Sequence, residues 1–367
     1  MRGKAAILIL LGILIVLGTV IGIIVIQLFY RQPFVPPSTL AAMLSLTPVE
    51  GTPGISTPMR ILTATPSEAE LQIPPTTPLP SPELFNTPGP TETPGPLKEV
   101  CGKTGSYILL GILTDVTNPD LDNDGAIGFR VIQVDFSRER IIVYAIPPEL
   151  VLPGANLQPY GRTSATLTDA FDIIYHAERS NADAVSLAAN GIAQMINENL
   201  GILASHYMVV DTAAVEDFVA DTGSMDVKVS ATYVSEEFDF PRGTQKMDGA
   251  LIRKYIVAKS SQRDSEWDRV LRQNDVINAF RNFAKDQDTT RLASNFINQR
   301  EDGFISSLTF GQVRQLLCLA NTIDSVRFRY FSMPVSRLEL REDGTIIMAD
   351  QLSLQANIAN SLGGTGE

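Results

Sequence analysis

The residues best suited to chemistry are four cations in one short stretch: Lys259, Arg263, Arg269 and Arg272, within YIVAKSSQRDSEWDRVLRQNDVINAF, Tyr255–Phe280. A guanidinium presents a planar fork that matches phosphate oxygens, and an ammonium adds a point charge, so the cluster suits an anionic ligand. The same charges also fit a solvated helix face, the common fate of charge on a helix. Residue type alone leaves both readings open. The stretch is expected to begin as a β-like run, cross a polar turn, and enter an amphipathic helix whose first turns carry Arg269 and Arg272.

No conventional catalytic set accompanies them. His176 and His206 lie in separate expected elements without ligand spacing, which argues against zinc and against a Ser-His-Asp triad. Phosphate-cradling and dinucleotide-binding glycine motifs are missing from the sequence. Asp120, Asp122, Asp124 and Gly125 open like a calcium loop, but Val131 stands at its twelfth position, where a bidentate Glu is needed. A solvated Asx-rich turn is the simpler reading. Cys101 and Cys318 are the chain's two cysteines. Outside the cytoplasm they would form one disulfide, and the alternative is a pair of buried thiols.

Among the elements that position these residues, Tyr107–Leu113 is an apolar run of strand type, followed by β-rich segments at Phe129–Phe136 and Arg140–Ile146. Helices are expected over Ala165–Arg179 and Asp183–Leu200, the second ending at Gly201 in a C-terminal capping position. Tyr207–Val210 and Met225–Val229 read as strands around a helix at Thr212–Thr222. A helix at Leu308–Leu319 and a strand at Val326–Ser332 follow. Strands alternating with helices predict a layered α/β domain with a central mixed sheet flanked by helices.

The chain before this domain has another character. Ala5–Ile26 carries no charge and, at about 1.5 Å per residue, is long enough to span a bilayer core of roughly 30 Å. It is read as a transmembrane signal-anchor rather than a cleaved signal peptide, with Arg2 and Lys4 favouring a cytoplasmic N-terminus. Sixteen of the 23 prolines fall between Pro33 and Pro96, in a Thr-rich segment too poor in apolar residues to build a core. The expected organisation is an anchor over 1–31, a disordered stalk over 32–97, an extracytoplasmic domain over 98–350 and a polar tail over 351–367. Asp and Glu outnumber Lys and Arg by 41 to 29, which argues against a nucleic-acid partner.

Several blocks, in order, resemble the LytR-CpsA-Psr family, also called the cell envelope-related transcriptional attenuator family. They are Asn199–Val229 (NLGILASHYMVVDTAAVEDFVADTGSMDVKV), Pro241–Gly249 (PRGTQKMDG), which resembles the turn before the family's active-site strand, and Arg269-Val-Leu-Arg272-Gln273, which resembles its R-x-x-R-Q helix entrance. The resemblance implies a cell-membrane protein with its domain outside, holding a polyprenyl phosphate-type lipid or lipid-linked glycopolymer and transferring the glycopolymer to peptidoglycan. It also implies arginines and Mg²⁺ on the pyrophosphate.

The polar motifs depart from that pattern. Leu113 stands where an acidic metal ligand is expected and Asp115 where an Arg would be; Gly125–Gly128 lacks an Arg and an Asp. Pro148 replaces another Arg, and Tyr255–Lys259 keeps only Lys259 of two basic positions. Two functions are therefore carried forward: a transferase that uses Mg²⁺, with Lys259, Arg263, Arg269 and Arg272 on phosphate, and a non-catalytic lipid- or glycan-binding module.

Overall fold

The computed structural model describes residues 99–115, 125–234, 239–258, 265–298 and 303–363. The expected membrane helix, the stalk, the acidic residues Asp120, Asp122 and Asp124, and both Lys259 and Arg263 lie outside the described residues. Among the described residues, no helix is long and apolar enough to cross a membrane.

The domain is built on strand β1 (Ser106–Thr114), whose run ILLGIL is apolar at odd and even positions alike. A strand of that kind must be covered on both faces. It pairs antiparallel with β2 (Ala126–Asp135), which continues antiparallel into β3 (Arg140–Ile146), as the sequence predicts. The short ribbon of β4 (Val151–Pro153) and β5 (Ser164–Thr166) leads to helices α1 (Leu167–Glu178) and α2 (Ala184–Leu200). Gly201 closes α2 at φ 70°, a left-handed conformation that suits glycine.

Strand β6 (His206–Asp211) then adds parallel to β1, and α3 (Thr212–Thr222) follows. The ribbon of β7 (Met225–Val229) and β10 (Gly243–Met247) flanks the two-residue strands β8 (Tyr233–Val234) and β9 (Asp239–Phe240). Helices α4 (Gly249–Val257), α5 (Ser265–Lys285) and α6 (Thr289–Asn298) come next, then β11 (Phe304–Ser306), α7 (Phe310–Thr322) and β12 (Phe328–Ser332). The chain ends with the hairpin of β13 (Leu338–Leu340) and β14 (Ile346–Met348) and with α8 (Gln351–Gly363). The six-stranded sheet runs β11-β6-β1-β2-β3-β12 and is mixed, with β1–β6 and β3–β12 parallel.

Two cores follow from the double-faced sheet. On one face Leu110, Ile112, Phe129 and Tyr144 pack beneath α1, α2 and α8. On the other, Leu109, Val134, Ile141 and Val143 face α3 to α7.

Three expectations are corrected. The β-like run at Tyr255 is the last turn of α4. Asp248 accepts a hydrogen bond from Leu251 N at 2.8 Å and starts that helix, and Ile252, Tyr255 and Ile256 are buried at helical spacing. The stretch before it, expected as a turn, contains strand β10. Residues 351–363, expected within a polar tail, form α8, whose Leu354, Ile358 and Leu362 repeat every four residues into the core. Gly249 admits α4 to its place, since a Cβ there would lie 2.2 Å from Glu216 O on α3.

Cys101 and Cys318 are bonded, across a sequence separation of 217. Closing so long a loop restricts the unfolded chain, so the Cys101→Ala/Cys318→Ala double variant should lose about 2–5 kcal/mol in chemical denaturation. Nearby, His206 stands edge-on to Tyr107 with ring centroids 5.2 Å apart, and its Nε2 lies 3.2 Å from Gln312 Nε2. Burial, and then Lys103, hold its imidazole below the usual 6.5. Its contribution is thus present above about pH 6.5 and is lost as pH falls through the lower folded value. His206→Gln should flatten the fall in melting temperature between about pH 7 and 5.

Candidate functional site: an apolar slot and its polar rim

Between the sheet and α3, α5 and α7 lies a cavity of about 320 Å³. Its floor includes Leu113, Ile132, Ile141, Val143 and Met208, and its walls Val215, Phe218, Val276, Ile277, Phe280 and Leu317. Gly111 contributes no side chain to the floor. Such a slot, almost wholly apolar, suits a hydrocarbon chain.

The structure brings Arg269 and Arg272 together on α5, and protein groups engage both. Arg269 is buried, with NH2 3.1 Å from Glu149 Oε1. Arg272 is fully buried: its Nε donates to Tyr255 O at 2.8 Å and NH2 donates to Ala258 O. Its guanidinium also lies 5.1 Å from the Tyr233 ring centroid. Arg272 therefore closes the carbonyl end of α4, and burial lowers its pKa. Beside it, Asp275 accepts from the Tyr255 hydroxyl at 2.8 Å and from Ser230 N at 2.9 Å.

A second polar group, which the sequence reading did not assemble, sits at the C-terminal ends of the parallel strands β1 and β6. Asp115 is buried, 3.0 Å from Arg253 NH2, and accepts from the Thr212 hydroxyl. Arg253 also reaches Glu216 at 3.3 Å. Next to them the Thr114 hydroxyl donates to Asp211 at 3.1 Å, and Asp211 caps α3 through Ala213 N at 2.9 Å. The strand reading of Tyr255 concealed Arg253, which only a helix over 249–257 turns toward β1.

Arg130 was also missed. It is the one charge inside the apolar run AIGFRV, lines the slot, and faces Gly111 across the β1–β2 ladder. NH1 donates to Phe129 O at 3.1 Å, and NH2 to Gln273 Oε1 at 2.9 Å and Val270 O at 3.4 Å. Burial lowers its pKa to about 10, so it stays charged at neutral pH. Gly128 leaves room for this contact, because a Cβ there would stand 2.8 Å from Gln273 Oε1.

The Mg²⁺ implied by the resemblance does not fit the described residues. No group of three or more His, Cys, Asp or Glu among them could hold a metal. Asp115, the carboxylate nearest the expected position in sequence, is committed to Arg253 and Thr212.

Fold and site define an α/β domain with an apolar slot between a mixed sheet and a helical cover. The LytR_cpsA_psr family model matches residues 171–361, more than half of the 367-residue chain, and the chain belongs to that family. No curated relative matches it. Its shape is similar to TagV of B. subtilis, with TM-score 0.54, 15% identity, and coverage of 72% of this chain and 99% of that one. A Streptococcus agalactiae protein gives 0.53, 13%, 71% and 88%. TagT bound to LIIa-WTA gives 0.50, 16%, 73% and 95%. At these identities the likeness is one of fold.

If Arg272 holds α4 rather than a ligand, Arg272→Ala lowers stability by about 3 kcal/mol in denaturant titrations without ligand. An unchanged midpoint would return this residue to the ligand-binding reading.

Proposed function

We propose that this chain is a membrane-anchored cell-envelope protein whose slot holds the apolar chain of a polyprenyl phosphate-type lipid or lipid-linked glycopolymer. The observation that carries this reading is the slot itself, a continuous apolar cavity between sheet and helices with guanidinium groups at its wall. Family membership supports it, as does a structure of TagT, a protein of similar fold, bound to LIIa-WTA. The uncharged run Ala5–Ile26 supports the anchor, and a domain outside the membrane on a Pro-rich stalk would sit within reach of both membrane lipid and peptidoglycan.

Between binding and transfer, the polar rim favours binding. Phosphoryl transfer relies on cations preorganised to neutralise charge that develops on the transferred group. Here Arg269 is matched by Glu149, Arg253 by Asp115 and Glu216, and Arg272 by backbone carbonyls. One observation keeps glycopolymer transfer to peptidoglycan as the second reading. The Glu149 side chain is 26% exposed, so an incoming phosphate could replace it on Arg269.

Native mass spectrometry of the detergent-solubilised full chain should show a co-purifying polyprenyl phosphate-type lipid. Ile277→Trp, which fills the slot, should reduce its occupancy at least about tenfold while the protein stays folded. Lipid binding without magnesium-dependent transfer supports the binding module; transfer abolished by Arg269→Ala establishes the second reading. Absence of lipid from both proteins overturns the proposal.

A further inference from the structure

Two arginines line the slot, Arg130 and Arg281, and of the two Arg130 keeps a buried nitrogen without a partner. Its hydrogen bonds all go to neutral acceptors, the Phe129 and Val270 carbonyls and the Gln273 amide oxygen. Its Nε, buried, donates to nothing. The residue is 6% exposed and lines an apolar cavity. A guanidinium withdrawn from water without a counter-charge is destabilising, and an anionic ligand would supply the missing charge. The surroundings do not cancel the charge. Arg269 adds a second positive field, itself matched by Glu149. Tyr330, whose buried hydroxyl has no hydrogen-bond partner, is in electrostatic reach of the same guanidinium.

Its place in the slot fixes the chemistry further. Gly111 lies directly across the ladder, so the space beside the Arg130 stem is open, and Ile132, Ile141 and Val143 continue the floor away from it as an apolar track. A ligand whose charged end meets Arg130 can lay its hydrocarbon along that track. Arg281, the other arginine of the slot, spends its Nε and NH2 on the Ala320 and Ile323 carbonyls, so the unused donor is that of Arg130. With no metal-binding cluster among the described residues, the complement is a single oxyanion.

We propose that Arg130 is the oxyanion-binding residue of this chain, receiving the monophosphate or carboxylate of an apolar-tailed ligand inside the slot in place of Arg269 and Arg272. The inference rests on the reading that the slot holds the ligand's tail. It deepens that reading by selecting a mono-oxyanion over a metal-clamped diphosphate.

The test compares farnesyl monophosphate, farnesyl diphosphate and farnesol, which share one tail, binding to the full chain in non-ionic detergent with EDTA present. Isothermal titration should give roughly tenfold tighter binding of the monophosphate than of farnesol, and no more than about threefold further gain for the diphosphate. Arg130→Met should erase the preference for the monophosphate and Arg130→Lys should retain part of it, with farnesol affinity as the internal check that the slot is folded. Equal binding of monophosphate and farnesol to the unmodified protein overturns the role of Arg130 and leaves the slot standing. So does a preference that survives Arg130→Met, or one removed by Arg269→Met alone. If farnesol fails to bind the unmodified protein, the slot reading falls and this inference with it.

Discussion

A sheet whose central strand is apolar on both faces has to be covered twice, and the rest of the domain answers that requirement. The cover under α1, α2 and α8 is filled by side chains such as Phe171, Ile192 and Leu354. The cover under α3, α5 and α7 leaves a cavity. Since protein interiors normally pack to the density of organic crystals, the difference between the two faces is the main structural pointer to ligand binding.

Helix α5 holds the open face in register. Four of its polar residues each secure a different neighbour. Arg269 meets Glu149 after β3, Arg272 the carbonyl end of α4, and Gln273 the Arg130 side chain on β2. Arg281 donates to Ala320 O at 3.2 Å and Ile323 O at 2.5 Å at the end of α7, and lies over Phe328 at 4.9 Å. Directional, buried bonds of this kind cost much to misplace, so they fix the helix where apolar packing alone would let it settle onto the sheet.

Much of this was legible in the residues. The apolar run of β1, the hairpin of β2 and β3 and the helices over 167–200 follow from local pattern, and of the two readings of the chain's two cysteines the structure has the bonded one. What failed were elements whose pattern is ambiguous over short spans. YIVA is β-branched and apolar, so the helical period of Ile252, Tyr255 and Ile256 appears only once Asp248 is recognised as a cap. Strand β11 spans only Phe304–Ser306 and owes its conformation to pairing with β6, a partner distant in sequence. At the site, residue types identified cations but not their destinations. Glu149, Asp115 and the Tyr255 carbonyl become partners only through tertiary structure, and Arg130 was hidden because a lone charge in a strand has no motif.

The bond between Cys101 and Cys318 has a mechanical consequence. Cys101 lies just before β1, the floor of the slot, while Cys318 belongs to α7, part of its roof. A pull arriving along the chain from the N-terminal side therefore divides at the sulfurs, passing to the roof through the bond and to the floor through the backbone. Load is shared by the two surfaces that enclose the slot, so tension on the N-terminal side does not by itself draw the roof away from the floor.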